Sequence, residues 1–575
     1  MAVTAGVFDP TSPFVLLDDV AAGTARLFAG LVETVVAEAP EAVAGALARL
    51  KEPGPWAGFI GFEAGFALEA ALPRREPPPA EPLLWFGRFE SEAKVDAAAL
   101  LDDGPAHVGV VQPGLSEDEY AEKLARVQEL IAAGDIYQVN LTFNAAVAVG
   151  GHPIHLYKRL RSGARAPYGA LVFTGSLWIL SFSPELFFRL DGRTLTARPM
   201  KGTAARGIDA ADDARRAETL QNDPKNRAEN LMITDLLRND LSRVGDNVQV
   251  PALFAIETYP TVLQMTSTIT ATAHPDVTAA DVLARLFPCG SVTGAPKIRS
   301  LQVIADVEAA PRGVYTGSIG AISATGDAVF NVAIRTLALK PGENARLGLG
   351  SGVVADSEAA SEWAECLQKS AFLARKPPPD CIETMRVEAG KLPDLALHLA
   401  RMARTAAFLG SKHDRKHLET AIPAMVAPGF SGRLRLLLAP SGAICVQLSP
   451  LPAMPGGAVS VAVAPLPVSE DDWRLRHKTT DRGFYDAARA ASGAFDVVFV
   501  RPDGQITEGS FTNIFVERDG VLLTPPASAG LLPGILRQRL LAKGRAREAE
   551  LCVADLANGF LLGNALRGLF PARLA

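Results

Sequence analysis

The chain has 575 residues, 48% of them hydrophobic and 21% charged, with a net charge of −6; that length exceeds what one ordinary core needs, so at least two domains are expected. No long run of Lys or Arg is present, which argues against nucleic acid or an acidic membrane as principal partner, since both recruit concentrated positive charge. The five cysteines, at 289, 366, 381, 445 and 552, form no CxxC pair, which argues against a zinc site or a disulfide framework and predicts buried free thiols.

The opening MAVTAGVFDPTSPFVLLDD lacks the basic and apolar regions of a signal peptide, and no later apolar stretch reaches the roughly 18 residues that suggest spanning. A cytoplasmic protein is expected. REPPPAEP, Arg75 to Pro82, reads as a loop, and DEYAEKLARVQELIAAG as a helix, followed by Gln138 in GDIYQVNLTF. ALVFTGSLWILSF and VQVPALFAIETYP are strand-like, so the first half is mixed α+β. Between them lie SPELFF with Glu185, RPMKGT with Lys201, and the helical DPKNRAENLMITDLLRND with Glu229.

FPCGSVTGAPKIRS carries Thr293 and Gly294. In FNVAIRT, Arg335 follows an alternating strand-like pattern; it offers a bidentate guanidinium to a carboxylate or a structural salt bridge. In GLGSGVVADSE, Gly348, Gly350 and Gly352 permit close approach of backbone N–H groups to an anion, and Ser351 lies among them. The segment does not fit a GxGxxG fingerprint. In the helical SEAASEWAECLQKS, Glu362 and Glu365 are three apart and share a face. Carboxylates on two helices suit Mg²⁺, although such acidic faces are more often solvated surface.

Consecutive prolines in Arg375-Lys376-Pro377-Pro378-Pro379-Asp380 predict a stiff linker, dividing the chain into domains 1–374 and 381–575 with 375–380 between them. Beyond it a helix over Leu395 to Leu409 precedes strands RLRLLLAP and AICVQLSP, and the basic stretch Arg537 to Arg547 reads as a solvated helix face.

In order, SPELFF, RPMKGT, AENLMITDLLRNDLSRVG, FPCGSVTGAPKIRS, NVAIRT, GSGVVADS and EWAEC resemble the chorismate-utilising enzyme family over residues 1 to about 374. The resemblance implies a chorismate-binding α/β sandwich in which Mg²⁺ bridges Glu229 and Glu365, with Glu362 close by, to the ring carboxylate. Arg335 and the backbone of Gly350, Ser351 and Gly352 would hold the other carboxylate, with Thr293 and Gly294 also against the substrate. Relatives that make anthranilate or isochorismate have a small residue before Gly202-Thr203, whereas those that make aminodeoxychorismate carry a lysine, as here with Lys201. A lysine amine is a nucleophile when its pKa is depressed, and Glu185 occupies the family's general-acid position. Gln138 stands where water-using relatives place a lysine; Gln264 replaces a frequent histidine, and Asn226 an acid found in some relatives. No glutaminase signature of Cys, His and Glu accompanies these motifs, so a separate glutamine amidotransferase is the expected source of ammonia.

From about Cys381 to Ala575 the segments ETMR, LHLARMARTAAFLG, RHKTTDRGFYDAAR, ITEGSFTNIFV, LLPGILRQRLL and FLLGNALRGLFP resemble class IV aminotransferases, fold-type IV pyridoxal phosphate enzymes with two subdomains. The resemblance implies that Lys478 carries pyridoxal phosphate, Glu508 faces its pyridine nitrogen, and Arg401 holds its phosphate, helped by backbone N–H groups of the turns Ser510 to Thr512 and Gly534-Ile535. His477 is assigned to packing. The lyase that forms p-aminobenzoate belongs to this family, as do transaminases, and the cofactor residues do not separate them; fusion to a chorismate half favours the lyase, and a homodimer through that half is expected. The alternatives are an anthranilate synthase-like first half with a transaminase second half, or a scaffold with an inactive site.

Overall fold

The structure is a computed structural model that describes residues 9–102, 104–259, 262–374, 378–453 and 456–575. It is α+β and comprises two compact units. The first contains Met1–Thr203, Thr219–Glu257 and Gln264–Pro377; the second contains Pro378–Ala575 together with Ala204–Glu218 and Thr258–Leu263. Of the expected linker, residues 375–377 lie outside the described residues.

Every described strand pairing in the first unit whose register is defined is antiparallel, which lets strands joined by short turns bury one face each. Strand Ala345–Val353 pairs along its whole length with Gln138–Gly151, from Ala345 opposite Val147 to Val353 opposite Val139. This ladder brings the Gly-rich segment beside Gln138. Helix Glu117–Ala132 starts at a capping box in which Ser116 and Glu119 satisfy each other's backbone N–H groups, and its Tyr120, Leu124 and Val127 enter the core. Helix Pro224–Ser242 is entered through Asp223, whose side chain accepts from the Asn226 N–H, with proline in the first turn. Its buried Ile233, Leu237 and Leu241 join one core cluster, fixing the face that carries Glu229. Helix Ala359–Gln368 carries Glu362 and Glu365.

The second unit has two parts. A three-stranded antiparallel sheet, Cys381–Val387, Gly432–Leu438 and Ile444–Ser449, packs Met385, Leu434 and Leu436 against Leu399 and Met402 of helix Leu395–Leu409. A larger mixed sheet pairs Val459–Pro465 in parallel with Asp496–Val500, and Phe560–Asn564 antiparallel with both Asn513–Arg518 and Gly568–Leu574.

Three local expectations change. Arg335 does not continue a strand: it sits in the turn between strands Ala328–Asn331 and Thr336–Leu339, with a left-handed φ of 51°. Arg537 does not belong to a solvated face: it is buried, donates to the Pro525 carbonyl at 2.7 Å and pairs with Glu548. Cys289, Cys366 and Cys381 are buried free thiols, but Cys445 and Cys552 are exposed. Among the described residues no helix is long and apolar enough to cross a membrane.

Candidate active sites

In the first unit the strand Met200–Ala205 delivers Lys201, and Asn230 of helix Pro224–Ser242 pins the backbone there by donating to the Lys201 carbonyl at 3.3 Å. The close approach of Lys201 to the glycine-rich strand is direct: a Cβ on Gly352 would lie 2.9 Å from Lys201 Nζ and 2.7 Å from Gln138 Nε2. Any side chain at Gly352 would therefore occupy the space these groups share. The Lys201 pKa is lowered, first by burial and then by the neighbouring Lys369 ammonium, against the pull of Glu229, Glu185 and Glu365. Burial and Lys369 thus act in the direction of the neutral amine that a nucleophile needs.

Glu185 is buried, and burial raises its pKa to about 7, while the Ser291 hydroxyl, donating at 2.6 Å to Oε1, and the charge of Lys201 restrain the rise. A carboxyl so placed retains a proton near neutrality, as a general acid requires. Ser291 was within reach of sequence reasoning, being two residues before Thr293 in the same motif.

Glu229 and Glu365 both act on the charge of Lys201. The pKa of Glu229 is raised by burial and by the charges of Glu365 and Glu362, against Lys201 and Lys225. Partial burial works upward on Glu365, yet Lys369, Lys201 and Lys225 outweigh it and hold the carboxyl below its ordinary value. Lys369 bridges two elements, donating to Glu365 Oε1 and to the Gly350 carbonyl, each at 2.7 Å. Its i,i+4 spacing from Glu365 is a signal the sequence offers. Glu362 accepts from the Ser357 hydroxyl at 2.8 Å. Among the described residues no group of three His, Cys, Asp or Glu side chains is placed to hold a metal ion. The donor chemistry of Glu229 and Glu365 nonetheless fits Mg²⁺, which takes few protein carboxylates and keeps water and substrate oxygens, and a cation would relieve the repulsion on Glu229.

The other expected substrate residues are distributed unevenly. Gly350 and Gly352 share a strand face, and Ser351 necessarily points the opposite way, where its hydroxyl meets Tyr120 Oη at 2.9 Å. The Thr293 hydroxyl is directed to the carbonyls of Cys289 and Gly290 at 3.2 and 3.1 Å. Gly294 pairs with Val139, and a Cβ there would lie 2.2 Å from the Gln138 carbonyl, so glycine is required by packing. The Arg335 carbonyl accepts from the Phe182 N–H at 3.0 Å. Gln264 donates to the Gly202 carbonyl at 2.8 Å and accepts from Thr203, and Asn226 donates to Asp223 at 2.8 Å. Gln138 is buried and its Oε1 has no hydrogen-bond partner.

In the second unit all the expected cofactor residues, Lys478, Glu508, Arg401, Ser510, Thr512, Gly534 and Ile535, line one cavity of about 390 Å³. The pKa of Lys478 is pushed down to about 7 by burial and by the charge of Arg401, with smaller contributions from Arg482 and Arg435 and an opposing one from Glu383. Glu508 is pushed up to about 8 by burial, although the Tyr485 hydroxyl at 2.7 Å and the Leu532 N–H at 3.0 Å both donate to it. Arg401 is buried and held bidentately by Glu383 at 2.8 and 2.6 Å, and Glu383 also meets His398 Nδ1 at 2.6 Å. Burial alone would raise Glu383, but Arg401 and His398 outweigh it and keep it well below the carboxylate range.

The turn Ser510 to Thr512, expected to offer backbone N–H groups to the phosphate, is tied to the buried Asp496: the Ser510 N–H donates to it at 2.9 Å, and the hydroxyls of Ser510 and Thr512 each donate at 2.6 Å. Gly534 lies against Asn513, whose Oδ1 would be 2.0 Å from a Cβ there, and it caps the helix beginning at Ile535. The set fits pyridoxal phosphate: a buried lysine, a carboxyl for a ring nitrogen, and an arginine with a helix start for a phosphate. His477 stacks on Phe408 with centroids 4.2 Å apart and meets the Thr405 hydroxyl at 3.3 Å, a packing arrangement in which burial pushes its pKa down to about 4. Glu383, Tyr485 and Asp496 escaped sequence reasoning because each acts through a partner on a different element.

A model of chorismate binding enzymes matches residues 12–375, and one of class IV amino-transferases matches residues 380–575. The chain is 40% identical over 257 residues to aminodeoxychorismate synthase component 1 of Klebsiella aerogenes, covering 44% of this chain and 57% of that protein. It is 39% identical over 259 residues to anthranilate synthase component 1 of Streptomyces coelicolor, covering 44% and 50%. The chain thus spans about half the length of these curated relatives. Anthranilate synthase component I from Streptococcus pneumoniae TIGR4 superimposes with a TM-score of 0.54 at 25% identity, over 65% of this chain and 95% of that one.

Proposed function

The chain belongs to the chorismate binding enzyme family and carries a class IV aminotransferase domain, and from that premise we propose a bifunctional enzyme of p-aminobenzoate synthesis. The observation that carries the first activity is the pairing of Lys201, with a lowered pKa, and Glu185, with a pKa raised to about 7, in one buried site. The shifts run in the directions that a nucleophilic amine and a general acid require. The Lys201 amine adds at C2 of chorismate, both ring double bonds shift (C1=C2 to C1=C6 and C5=C6 to C4=C5), and the C4–O bond breaks as Glu185 gives its proton to the departing hydroxyl, which leaves as water. Ammonia then attacks C4, the C2–N bond to Lys201 breaks, and 4-amino-4-deoxychorismate results. Identity alone does not separate this chemistry from anthranilate formation, since relatives of both kinds match at 40% and 39%; Lys201 favours amination at C4. Glu229 and Glu365 would hold Mg²⁺ against the ring carboxylate, and Arg335 with the Gly350–Gly352 backbone would take the second one. Ammonia comes from a separate glutamine amidotransferase, a reading supported by relatives named component 1.

In the second activity Lys478 would carry pyridoxal phosphate, Arg401 and the Gly534-Ile535 helix start would hold its phosphate, and Glu508 would face its ring nitrogen. Bound there, the cofactor supplies an electron sink next to the substrate amine. Lys478, with a pKa of about 7, accepts the C4 proton and returns one to the departing enolpyruvyl group, so that pyruvate leaves and p-aminobenzoate remains. Aromatisation drives the elimination. Feeding purified 4-amino-4-deoxychorismate tests this half: wild type and Lys201→Ala release pyruvate and p-aminobenzoate, and Lys478→Ala releases neither. Exchange of amino groups between amino and keto acids without pyruvate would replace the lyase by a transaminase.

A further inference from the structure

We propose that Arg433, Arg489 and Arg567 form a clamp for the ring carboxylate of an aminated cyclohexadiene dicarboxylate, and so set the substrate class of the second cavity; this rests on the lyase reading above. All three line the cavity that holds Lys478. They come from separate elements: Arg433 from strand Gly432–Leu438, Arg489 from helix Gly483–Ser492, and Arg567 from the turn between Phe560–Asn564 and Gly568–Leu574. Arg489 and Arg567 converge on one aromatic ring, with their guanidinium carbons 5.2 and 5.6 Å from the Phe511 centroid. Arg567 also faces Phe495 at 6.0 Å.

The turn that delivers Arg567 is fixed in advance. Asn564 Oδ1 accepts from the backbone N–H groups of Leu566 and Arg567 at 3.1 and 2.9 Å, and its Nδ2 donates to the Phe511 carbonyl at 3.3 Å. A preorganised guanidinium loses less freedom on meeting a carboxylate.

What the cluster lacks is a carboxylate in direct ion-pair contact. Elsewhere in the same lining, Arg401 has Glu383 and Arg474 has Asp472 as ion-pair partners. Among the described residues no carboxylate lies within ion-pair distance of Arg433, Arg489 or Arg567; Arg433 reaches only the Ser449 hydroxyl, at 2.9 Å. Arg567 Nε is buried and has no hydrogen-bond partner. Burial and the like charges of Arg433 and Arg489 lower the Arg567 pKa, against the more weakly acting Asp496 carboxylate. Three guanidiniums held together without a directly paired carboxylate repel one another, and an incoming carboxylate relieves that cost while satisfying the unused donors.

The charges that weigh most on Lys478 are those of Arg401, Arg482 and Arg435, opposed by Glu383, and the three clamp arginines are not among them. An amine that reaches Lys478 therefore needs its carboxylate at a distance. The ring carboxylate of 4-amino-4-deoxychorismate, para to the amine, meets that requirement; the carboxylate of a simple α-amino acid, one carbon from its amine, does not.

The test uses the full chain loaded with pyridoxal phosphate and compares p-aminobenzoate with p-aminobenzamide, which differ only in the charge of the ring substituent. Phenylglyoxal labelling mapped by mass spectrometry is expected to show p-aminobenzoate shielding Arg433, Arg489 and Arg567, and p-aminobenzamide leaving them reactive. Equal shielding by both, or by neither, overturns the clamp. Kinetically, Arg567→Gln is expected to raise KM for aminodeoxychorismate about ten- to a hundredfold, as loss of one charge-assisted pair implies, with kcat within about threefold and partial recovery in Arg567→Lys. An unchanged KM also overturns it. Charge-selective shielding in a protein that releases no pyruvate would refute the lyase reading and leave the clamp standing.

Discussion

Replacing Glu185 by glutamine should abolish the first activity and, in alkaline solution, stabilise the fold. The carboxyl is buried and its pKa stands at about 7 instead of the ordinary 4.5, a gap worth roughly 3 kcal/mol at 1.36 kcal/mol per pH unit. Because the folded value lies above the unfolded one, the native chain binds more protons between these two pH values. Stability is then fully present below pH 4.5 and is lost as pH rises through about 7. Glutamine mimics the protonated acid and can keep a hydrogen bond with the Ser291 hydroxyl, so the variant escapes that loss. Urea unfolding of wild type and Glu185→Gln, compared at about pH 4.5 and pH 8.5, should give similar stabilities at the lower pH and an advantage of up to about 3 kcal/mol for the variant at the higher. Amination of chorismate should fall by about a hundredfold or more, the usual contribution of a general acid. A variant less stable than wild type at pH 8.5 would show that Glu185 is charged and well solvated in the native state, and would remove the physical basis for its role as the acid.

Lys201→Ala should lose amination while binding chorismate within a few-fold of wild type, because the nucleophile goes and the carboxylate contacts remain; unchanged turnover would exclude a covalent lysine. The first activity should require Mg²⁺, and Glu365→Gln should raise the Mg²⁺ concentration for half-maximal rate by about tenfold or more, measured by titration after chelator treatment; full activity in excess chelator would contradict this. Lys478→Ala should lose both the visible absorption of bound pyridoxal phosphate and the borohydride-stable attachment of the cofactor, and retention of that attachment would move the lysine assignment elsewhere.

The residues proposed to carry chemistry are legible where a local motif surrounds them. Lys201 in RPMKGT, Glu185 in SPELFF and Lys478 in RHKTT each stand at a position that a few neighbours identify, and the helix over Leu395 to Leu409 follows from its apolar spacing. What the sequence does not reveal is which atoms a side chain spends on its neighbours. The turn Ser510 to Thr512 reads as a source of backbone N–H groups for a phosphate, and only the fold shows Asp496, from another strand, accepting from the Ser510 N–H and from both hydroxyls. Arg335 reads as part of a strand because alternation continues through it, yet the backbone turns there with positive φ. The opposite facing of Ser351 was available in principle, since side chains alternate along a strand and its neighbours Gly350 and Gly352 had been assigned to the site. Arg537 shows the converse error: helical spacing of basic residues suggests solvent, and only the fold shows that Glu548 and the Pro525 carbonyl enclose this one.

The central claim is that one chain takes chorismate to p-aminobenzoate in two steps, and ¹⁵N-ammonium supplied with chorismate, Mg²⁺ and pyridoxal phosphate tests it most directly. Mass spectrometry should find ¹⁵N in p-aminobenzoate with an equal amount of pyruvate, and should find the labelled, ring-aminated precursor accumulating in Lys478→Ala. Labelled anthranilate as the product, or no incorporation of ¹⁵N by the full chain, would contradict the account.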